Sequence, residues 1–181
     1  MADPHIKPEM DALDYLMVVL YRLGMLISGL GLLLLAADLL GVYTFHHYPL
    51  WLLALGGVLQ ASSLHIYNKI IRWVLANATW VGLLVIVVDG GNGGWLQNLG
   101  LGCLFVTLSG LAFKESFCFR IPGLKLVPLA LAFSWFALVS ELPVYAGSIL
   151  VPAAGLYCFM ALSKARMPLH YDIGDKTAYQ I

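Results

Sequence analysis

Charge is scarce in this chain of 181 residues: Lys, Arg, Asp and Glu together make up only 11%, while apolar residues make up 61%. Soluble domains average about 25% charged residues, and small domains leave a large fraction of their surface exposed. The composition therefore excludes a soluble globular enzyme, a disordered chain and a nucleic-acid binder. A polytopic membrane protein, whose apolar surface faces lipid, is the class that remains.

Disulfide and catalytic motifs are also lacking. The three cysteines, Cys103, Cys118 and Cys158, show no CxxC spacing, and their odd number does not make a disulfide framework. The sequence contains no HExxH, GxSxG or Walker motif and no serine–lysine pairing. We therefore expect a protein that is not an enzyme and that holds no metal ion.

Long apolar runs are what the sequence has in abundance. A helix needs about 20 residues to cross the hydrocarbon core, and lipid offers no partner for backbone polar groups, so each run must be helical. The predicted fold class is an all-α polytopic membrane protein with six transmembrane helices, at 15–42, 50–67, 73–88, 95–113, 126–140 and 145–162. The first run follows an acidic segment, which is not typical of a signal peptide, so we expect it to be retained as a span.

No linker is long enough to divide the chain into separate domains. The predicted organisation is a cytoplasmic tail (1–14), a six-helix membrane domain (15–162) and a second cytoplasmic tail (163–181). The tails share a face because the number of spans is even. All ten basic residues fall on that face: Lys7, Arg22, Lys69, Arg72, Lys114, Arg120, Lys125, Lys164, Arg166 and Lys176. The positive-inside rule therefore places both termini in the cytoplasm.

Three acids recur near the opposite boundary, Asp38, Asp89 and Glu141, at spacings of 51 and 52 residues. The spacing fits three helical hairpins stacked in parallel, and it also follows from hairpins of equal length under the positive-inside rule. If the odd-numbered helices cluster, the three carboxylates line an outer vestibule that attracts cations, as in a transporter of ions or small solutes. Alternatively, they lie among the headgroups and cap neighbouring turns.

Ionisable side chains inside spans are costly and often functional. Arg22 lies about two turns into the first predicted span. It either snorkels to the inner headgroups along its aliphatic stem or pairs with Asp14 or Glu115.

His65 is the one histidine within a predicted span, so a haem held by two intramembrane histidines is not expected. Its imidazole either contacts a single pigment (chlorophyll or a carotenoid) or makes a helix–helix hydrogen bond. In the second interpretation it belongs to a polar seam with Gln60, Ser62 and Ser63. No other cofactor is expected.

The segment 113–125 mixes aromatic and basic residues: Phe113, Lys114, Phe117, Phe119, Arg120 and Lys125. Such a segment can lie in the membrane interface, with its aromatics among the headgroups and its bases toward anionic lipid. It can equally serve as a docking surface for a partner protein. We predict that it contacts either lipid or a partner.

The motifs GLAFKESFCF and RIPGLKLVPLAL, which together span 110–131, resemble a family of integral membrane proteins of cyanobacteria and, as related forms, of plant chloroplasts. The resemblance implies a thylakoid location and membrane subunits of a photosynthetic complex as partners. It implies a non-catalytic accessory or assembly factor, with photosystem II biogenesis as one case, that acts by lateral helix packing. The family has no established catalytic or ligand residues, so none is transferred to this sequence.

Overall fold

The structure is a computed structural model, and it describes residues 9–90, 92–119 and 121–173. Within these ranges the chain is all-helical, without β-strands, as the composition predicts. The elements are α1 (Ala12–Leu39), α2 (Tyr48–Ala61), α3 (Lys69–Asp89), α4 (Trp95–Ser116), a 3₁₀ turn (Leu124–Leu126), α5 (Val127–Val139), α6 (Pro143–Ala165) and α7 (His170–Ile173).

Local sequence explains where the helices begin. α1 starts with a reciprocal capping box, in which the Asp11 side chain accepts from the Asp14 N–H at 2.8 Å and the Asp14 side chain accepts from the Asp11 N–H at 3.2 Å. The side chain of Asn68 caps α3 by accepting from the Ile71 N–H at 3.1 Å. Proline occupies the first turns of α2, α5 and α6. Proline is tolerated there because a backbone N–H in the first turn has no acceptor within the helix.

Four helices, α1, α3, α4 and α6, are long and apolar enough to cross a membrane. α2 and α5 are apolar but contain only 14 and 13 residues. The predicted second span, 50–67, is wrong at its C-terminal end because α2 stops at Ala61. There the Ser62 hydroxyl donates to the Val58 carbonyl of its own helix at 2.5 Å, and the chain leaves the helix as a loop that runs to the Asn68 cap.

The helices pack as consecutive pairs, α1 with α2, α3 with α4 and α5 with α6. α1 also packs along α6, and α4 packs along α5. Only 22% of the most apolar part of α3 is buried, against 44–50% in α1, α4 and α6, so α3 lies at the periphery. This pairing is the arrangement that three helical hairpins require, while an internal repeat among them stays a prediction.

Beyond α6 the chain turns back onto the bundle. The short helix α7 packs against α1 and buries Asp172 and Ile173. The segment 163–181, predicted to be a cytoplasmic tail, therefore begins inside α6, and its described part is docked on the other helices.

Candidate functional site at the end of the helix bundle

Five charged side chains meet where α4 and α6 end, and together they form what we name the charge cluster: Arg22, Lys114, Glu115, Lys164 and Asp172. The Lys164 Nζ lies 2.8 Å from Glu115 Oε2 and 2.6 Å from Asp172 Oδ1, so it bridges the two carboxylates. The Lys114 Nζ lies 3.4 Å from Glu115 Oε1. All but the partly exposed Lys114 are buried, and burial of charge is tolerable only because each group faces an opposite one.

Arg22 joins α1 to the turn between α6 and α7. Its Nε and Nη2 both donate to Asp172 Oδ2, at 2.8 and 2.5 Å. Its Nη1 donates to the Met167 carbonyl at 2.6 Å and its Nη2 donates to the Pro168 carbonyl at 2.9 Å. Arg22 is therefore paired with Asp172 on α7, a partner that neither interpretation drawn from the sequence named. The turn supplies two carbonyls and α7 supplies a carboxylate, and together they match the guanidinium fork.

Tyr21, next to Arg22 on α1, extends the cluster. Its hydroxyl donates to Glu115 Oε1 at 3.0 Å, and the Lys114 Nζ lies 5.1 Å from the centre of its ring. The same carboxylate oxygen therefore receives the tyrosine hydroxyl and faces Lys114. The cluster as a whole contains three cations and two carboxylates.

A second polar network lies among α1, α2 and α6. The Gln60 Nε2 donates to Ser28 Oγ at 2.7 Å, and the Tyr157 hydroxyl donates to Gln60 Oε1 at 2.8 Å. The predicted polar seam is thus right about Gln60. It is wrong about Ser62, whose hydroxyl bonds its own turn, and about His65, which lies in the loop beyond α2. Ser63 Oγ lies 3.4 Å from Met17 Sδ on α1.

A cavity of about 320 Å³ lies beside the charge cluster, between the α2–α3 loop, the end of α4 and α7. Its lining includes His65, Asn68, Lys114, Lys164 and Asp172. The His65 Nδ1 is buried and has no hydrogen-bond partner among the described residues. Burial lowers the pKa of His65, and the positive charge of Lys114 lowers it further, so the imidazole is mainly neutral at pH 7. His65 is therefore a neutral side chain in a loop beside a polar cavity, and not part of a helix as its predicted place in the second span required.

The three outer acids occupy separate positions. Asp38 Oδ1 accepts from the Phe45 N–H at 3.0 Å, and Asp89 Oδ2 accepts from the Gly93 N–H at 3.1 Å, so each caps the turn that follows its own helix. Glu141 is exposed in the turn before α6. In the described part of the chain, no group of three or more His, Cys, Asp or Glu side chains is placed to hold a metal ion. The geometry of Asp38 and Asp89 matches the capping interpretation.

The aromatic and basic segment is divided between the surface and the interior. Phe113 and Phe117 are exposed, with ring centres 5.0 Å apart, and the Lys125 Nζ lies 5.5 Å from the Phe117 ring. Phe119 instead packs against the core, 5.8 Å from the Lys164 Nζ. Of the predicted interface residues that the structure describes, Phe113, Phe117 and Lys125 therefore face outward.

Lys114 and Arg120 complete this segment. Lys114 turns toward the charge cluster, so it belongs to the cavity and not to an outer surface. Arg120, predicted as part of the interface, lies outside the described residues. Contact of the segment with lipid or with a partner stays a prediction.

The fold and the composition define an integral membrane protein built of apolar helices. A family model described as "Uncharacterized integral membrane protein (DUF2301)" matches residues 59–181, and the chain belongs to this family. It is 42% identical over 184 residues to a Haemophilus influenzae protein described as "Uncharacterized protein", with 100% of both chains covered. No solved structure matches the chain.

The resemblance to an integral membrane family is confirmed by this match, which includes the motifs at 110–131. A thylakoid location and photosynthetic partners gain no support, since the Haemophilus relative comes from a non-photosynthetic bacterium. Integral membrane placement is the part of the predicted location that is shown.

Proposed function

We propose that this protein spans the membrane six times with both ends in the cytoplasm, and that it acts without catalysis as an accessory protein that packs laterally against another membrane protein. The observation that carries the lateral association is the outward face of α3. The six-span topology and the non-catalytic role rest on separate observations.

The paired, consecutive packing of the helices supports the six-span topology. With the 3₁₀ turn that precedes it, α5 forms a helical segment from Leu124 to Val139. At 1.5 Å per residue, α2 is about 21 Å long, which is shorter than the hydrocarbon core. Bilayers thin locally around short spans at a modest cost. Because Arg22, Lys114 and Lys164 meet at one end of the bundle, the positive-inside rule favours that end for the cytoplasm.

The outward face of α3 carries a regular seam. Its members are exposed and follow one another in alternating steps of four and three residues: Ile70, Val74, Asn77, Val81, Leu84 and Val88. This spacing is typical of a helix that packs against another helix along its length, and β-branched residues are favoured in such seams. Of the long helices, α3 is also the least buried. The seam therefore fits one further helix, supplied by a partner.

Asn77 is the member of the seam that hydrocarbon alone would not favour. It lies about 12 Å from the start of α3, at 1.5 Å per residue. Its Nδ2 donates to the Trp73 carbonyl of its own helix at 2.8 Å, and its Oδ1 accepts no hydrogen bond from the described residues. An amide in the membrane is stabilised by a hydrogen bond to a neighbouring helix. A donor on the partner helix would satisfy the Oδ1.

The two carboxylates of the charge cluster favour a non-catalytic role for the cluster itself. A general base or a nucleophile needs a free lone pair or a poised proton, whereas Glu115 and Asp172 are both bound by cations. The hydrogen bonds of Asp38 and Asp89 to their own turns argue against a transporter based on the outer acids. The position of His65 in a loop argues against a pigment bound there.

The relatives of the chain bear on the identity of the partner. An association with photosystem II or another thylakoid complex rests on the sequence resemblance alone. The Haemophilus relative matches over its whole length, which supports a partner that bacteria without photosynthesis also contain. We therefore propose a bacterial membrane protein as the partner, without restriction to photosynthesis.

Photo-crosslinking combined with purification tests this proposal. A crosslinking amino acid in place of Val81, on the seam, is expected to capture another membrane protein, and the variant Asn77→Leu is expected to abolish that capture. A crosslinker in place of Phe159, which is exposed on α6, serves as the control position, and Ser148→Ala, also on α6, as the control variant. Capture of lipid alone or of further copies of this chain from Val81, or equal capture from both positions, would contradict the proposal.

A further inference from the structure

The cavity beside the charge cluster has the size and the lining of a small ligand site. Its volume of about 320 Å³ lies at the lower end of the roughly 300–1,000 Å³ that small-molecule pockets span. Polar side chains reach it from three parts of the fold: Asn68 and His65 from the α2–α3 loop, Lys114 and Lys164 from helix ends, and Asp172 from α7. Phe117 and Ile66 supply an apolar part of the wall.

Among the five residues of the charge cluster, the positive and negative charges do not balance. Arg22 and Lys164 are both held by Asp172, and Lys164 also binds Glu115. The Lys114 Nζ lies 3.4 Å from Glu115 Oε1, an oxygen that already accepts a hydrogen bond from the Tyr21 hydroxyl. With three cations and two carboxylates, the cluster keeps one positive charge in excess. Lys114, whose side chain is 26% exposed against 8% or less for the Arg22 and Lys164 side chains, is the cation that a ligand reaches.

Two further groups beside Lys114 are available to a ligand. The His65 Nδ1 is buried without a hydrogen-bond partner, and such an atom costs free energy until it is paired. The Asn68 Oδ1 is engaged by the Ile71 N–H, while its Nδ2 donates no hydrogen bond to the described residues. The neutral imidazole also hydrogen-bonds the Ser63 backbone. Its Nδ1 becomes a third donor, beside the ammonium and the amide, in the tautomer that carries the proton on Nδ1 and gives up that bond.

From this geometry we propose that the cavity binds a phosphate group, with Lys114 as the charge partner and His65 and Asn68 as hydrogen-bond donors. Several converging donors suit the several acceptor oxygens of a phosphate, and its negative charge offsets the excess positive charge of the cluster. A metal cation is disfavoured because Lys114 and Lys164 face the cavity. This inference does not depend on the lateral association proposed for α3.

A phosphate group could reach this cavity from two sources. One is a soluble phosphate ester, and the other is the headgroup of an anionic lipid, since basic pockets at the cytoplasmic ends of membrane helices bind such headgroups. The shared chemistry is the phosphate. The experiment below separates the two sources.

The full chain, purified in a detergent without phosphate, is heated in the presence of glycerol 3-phosphate or of dioleoyl phosphatidate in mixed micelles, at constant ionic strength. Sodium chloride and phosphatidylcholine are the matched additions. A ligand that binds only the folded state raises the melting temperature roughly with the logarithm of its concentration once that concentration exceeds Kd. Lys114→Gln is expected to weaken the apparent affinity about tenfold or more, as loss of a charged hydrogen bond predicts. Lys125→Gln, which removes a base outside the cavity, is expected to bind like the wild type.

A rise in melting temperature with either compound supports the proposal. A rise with phosphatidate alone identifies the source as a lipid headgroup, a rise with glycerol 3-phosphate alone identifies it as a soluble ester, and a rise with both means that the cavity accepts both. His65→Asn and Asn68→Ala provide further variants if Lys114→Gln does not fold, and each is expected to weaken binding. In addition, the imidazole NMR signal of His65 is expected to shift with phosphate and not with chloride. Absence of a concentration-dependent rise in melting temperature beyond that of the matched additions, or an equal loss in Lys125→Gln, would overturn the assignment.

Discussion

Replacing Glu115 with Gln tests whether the charge cluster holds the bundle together. The substitution keeps the shape of the side chain and an oxygen to accept the Tyr21 hydroxyl, but it removes the negative charge. At an effective dielectric constant of about 20, two charges 2.8 Å apart attract by about 6 kcal/mol, part of which is offset by the cost of desolvating them. Removing one partner of a buried pair costs about 3–5 kcal/mol, because the other charge remains buried. We expect a loss of that size.

The measurement is reversible unfolding in mixed micelles, as denaturing detergent is added, followed by the fluorescence of the five tryptophans. The double variant Glu115→Gln/Lys164→Gln removes both members of the pair. It is expected to recover part of the loss, because α6 then no longer presents a cation to the new amide on α4. The single variant Lys164→Gln completes a double-mutant cycle that isolates the coupling between the two side chains.

Glu141→Gln provides the matched control, since Glu141 is an exposed carboxylate at the other end of the bundle. Surface substitutions usually change stability by less than about 0.5 kcal/mol. A loss below about 1 kcal/mol for Glu115→Gln would refute the reasoning, because neutral hydrogen bonds alone would explain it. A double variant as unstable as the sum of the two single variants would refute the pairing of Glu115 with Lys164.

Three further predictions concern packing, hydrogen bonding and pH. Gly24→Ala is expected to destabilise the chain in the same unfolding assay, because its Cβ would lie 2.7 Å from a backbone carbonyl oxygen of α2, whereas Gly155→Ala, which meets open space, is expected to be neutral or slightly stabilising. Tyr157→Phe is expected to cost about 1–3 kcal/mol, because it leaves the buried Gln60 oxygen without its donor; wild-type stability would contradict this. Since the pKa of His65 is lowered by burial and by Lys114, against the opposing effect of Asp172, the unfolded chain binds the proton first. The free energy of unfolding should therefore be full above about pH 6.5 and fall below it. Measured from pH 8 to 5, its dependence on pH should be weaker in His65→Asn than in the wild type.

Sequence alone predicts the helical class and the pairing of neighbours, because apolar runs and short connections are local properties. The boundaries are less predictable. The stretch from Ser62 to Tyr67 is apolar enough to extend a span, yet the serine hydroxyl and the Asn68 cap divide it into a helix end, a loop and a new helix. Placing His65 inside the span followed from this error, and the pigment and seam hypotheses depended on that placement.

The charge cluster could not be predicted from the sequence, for a different reason. Arg22 and Asp172 are 150 positions apart, and Asp172 falls in a segment that its polarity marks as a tail. A partial signal is present at Lys114 and Glu115, where adjacent opposite charges end a long apolar helix. The sequence does not show that α6 ends beside them and that the chain then returns to α1.

Polar contacts account for the order of the helices in a way that apolar patterning does not. Lipid is as apolar as the helices, so burial of apolar surface does not choose between neighbours, whereas small residues and hydrogen bonds do. α1 packs on both α2 and α6, and at this junction Gln60 connects Ser28 of α1 to Tyr157 of α6. Arg22 then ties α1 to Asp172 of α7, so the first and last described helices are joined directly. On this view the buried polar groups determine that α6 packs against α1, and their loss should loosen this contact before it affects that of α3 with α4.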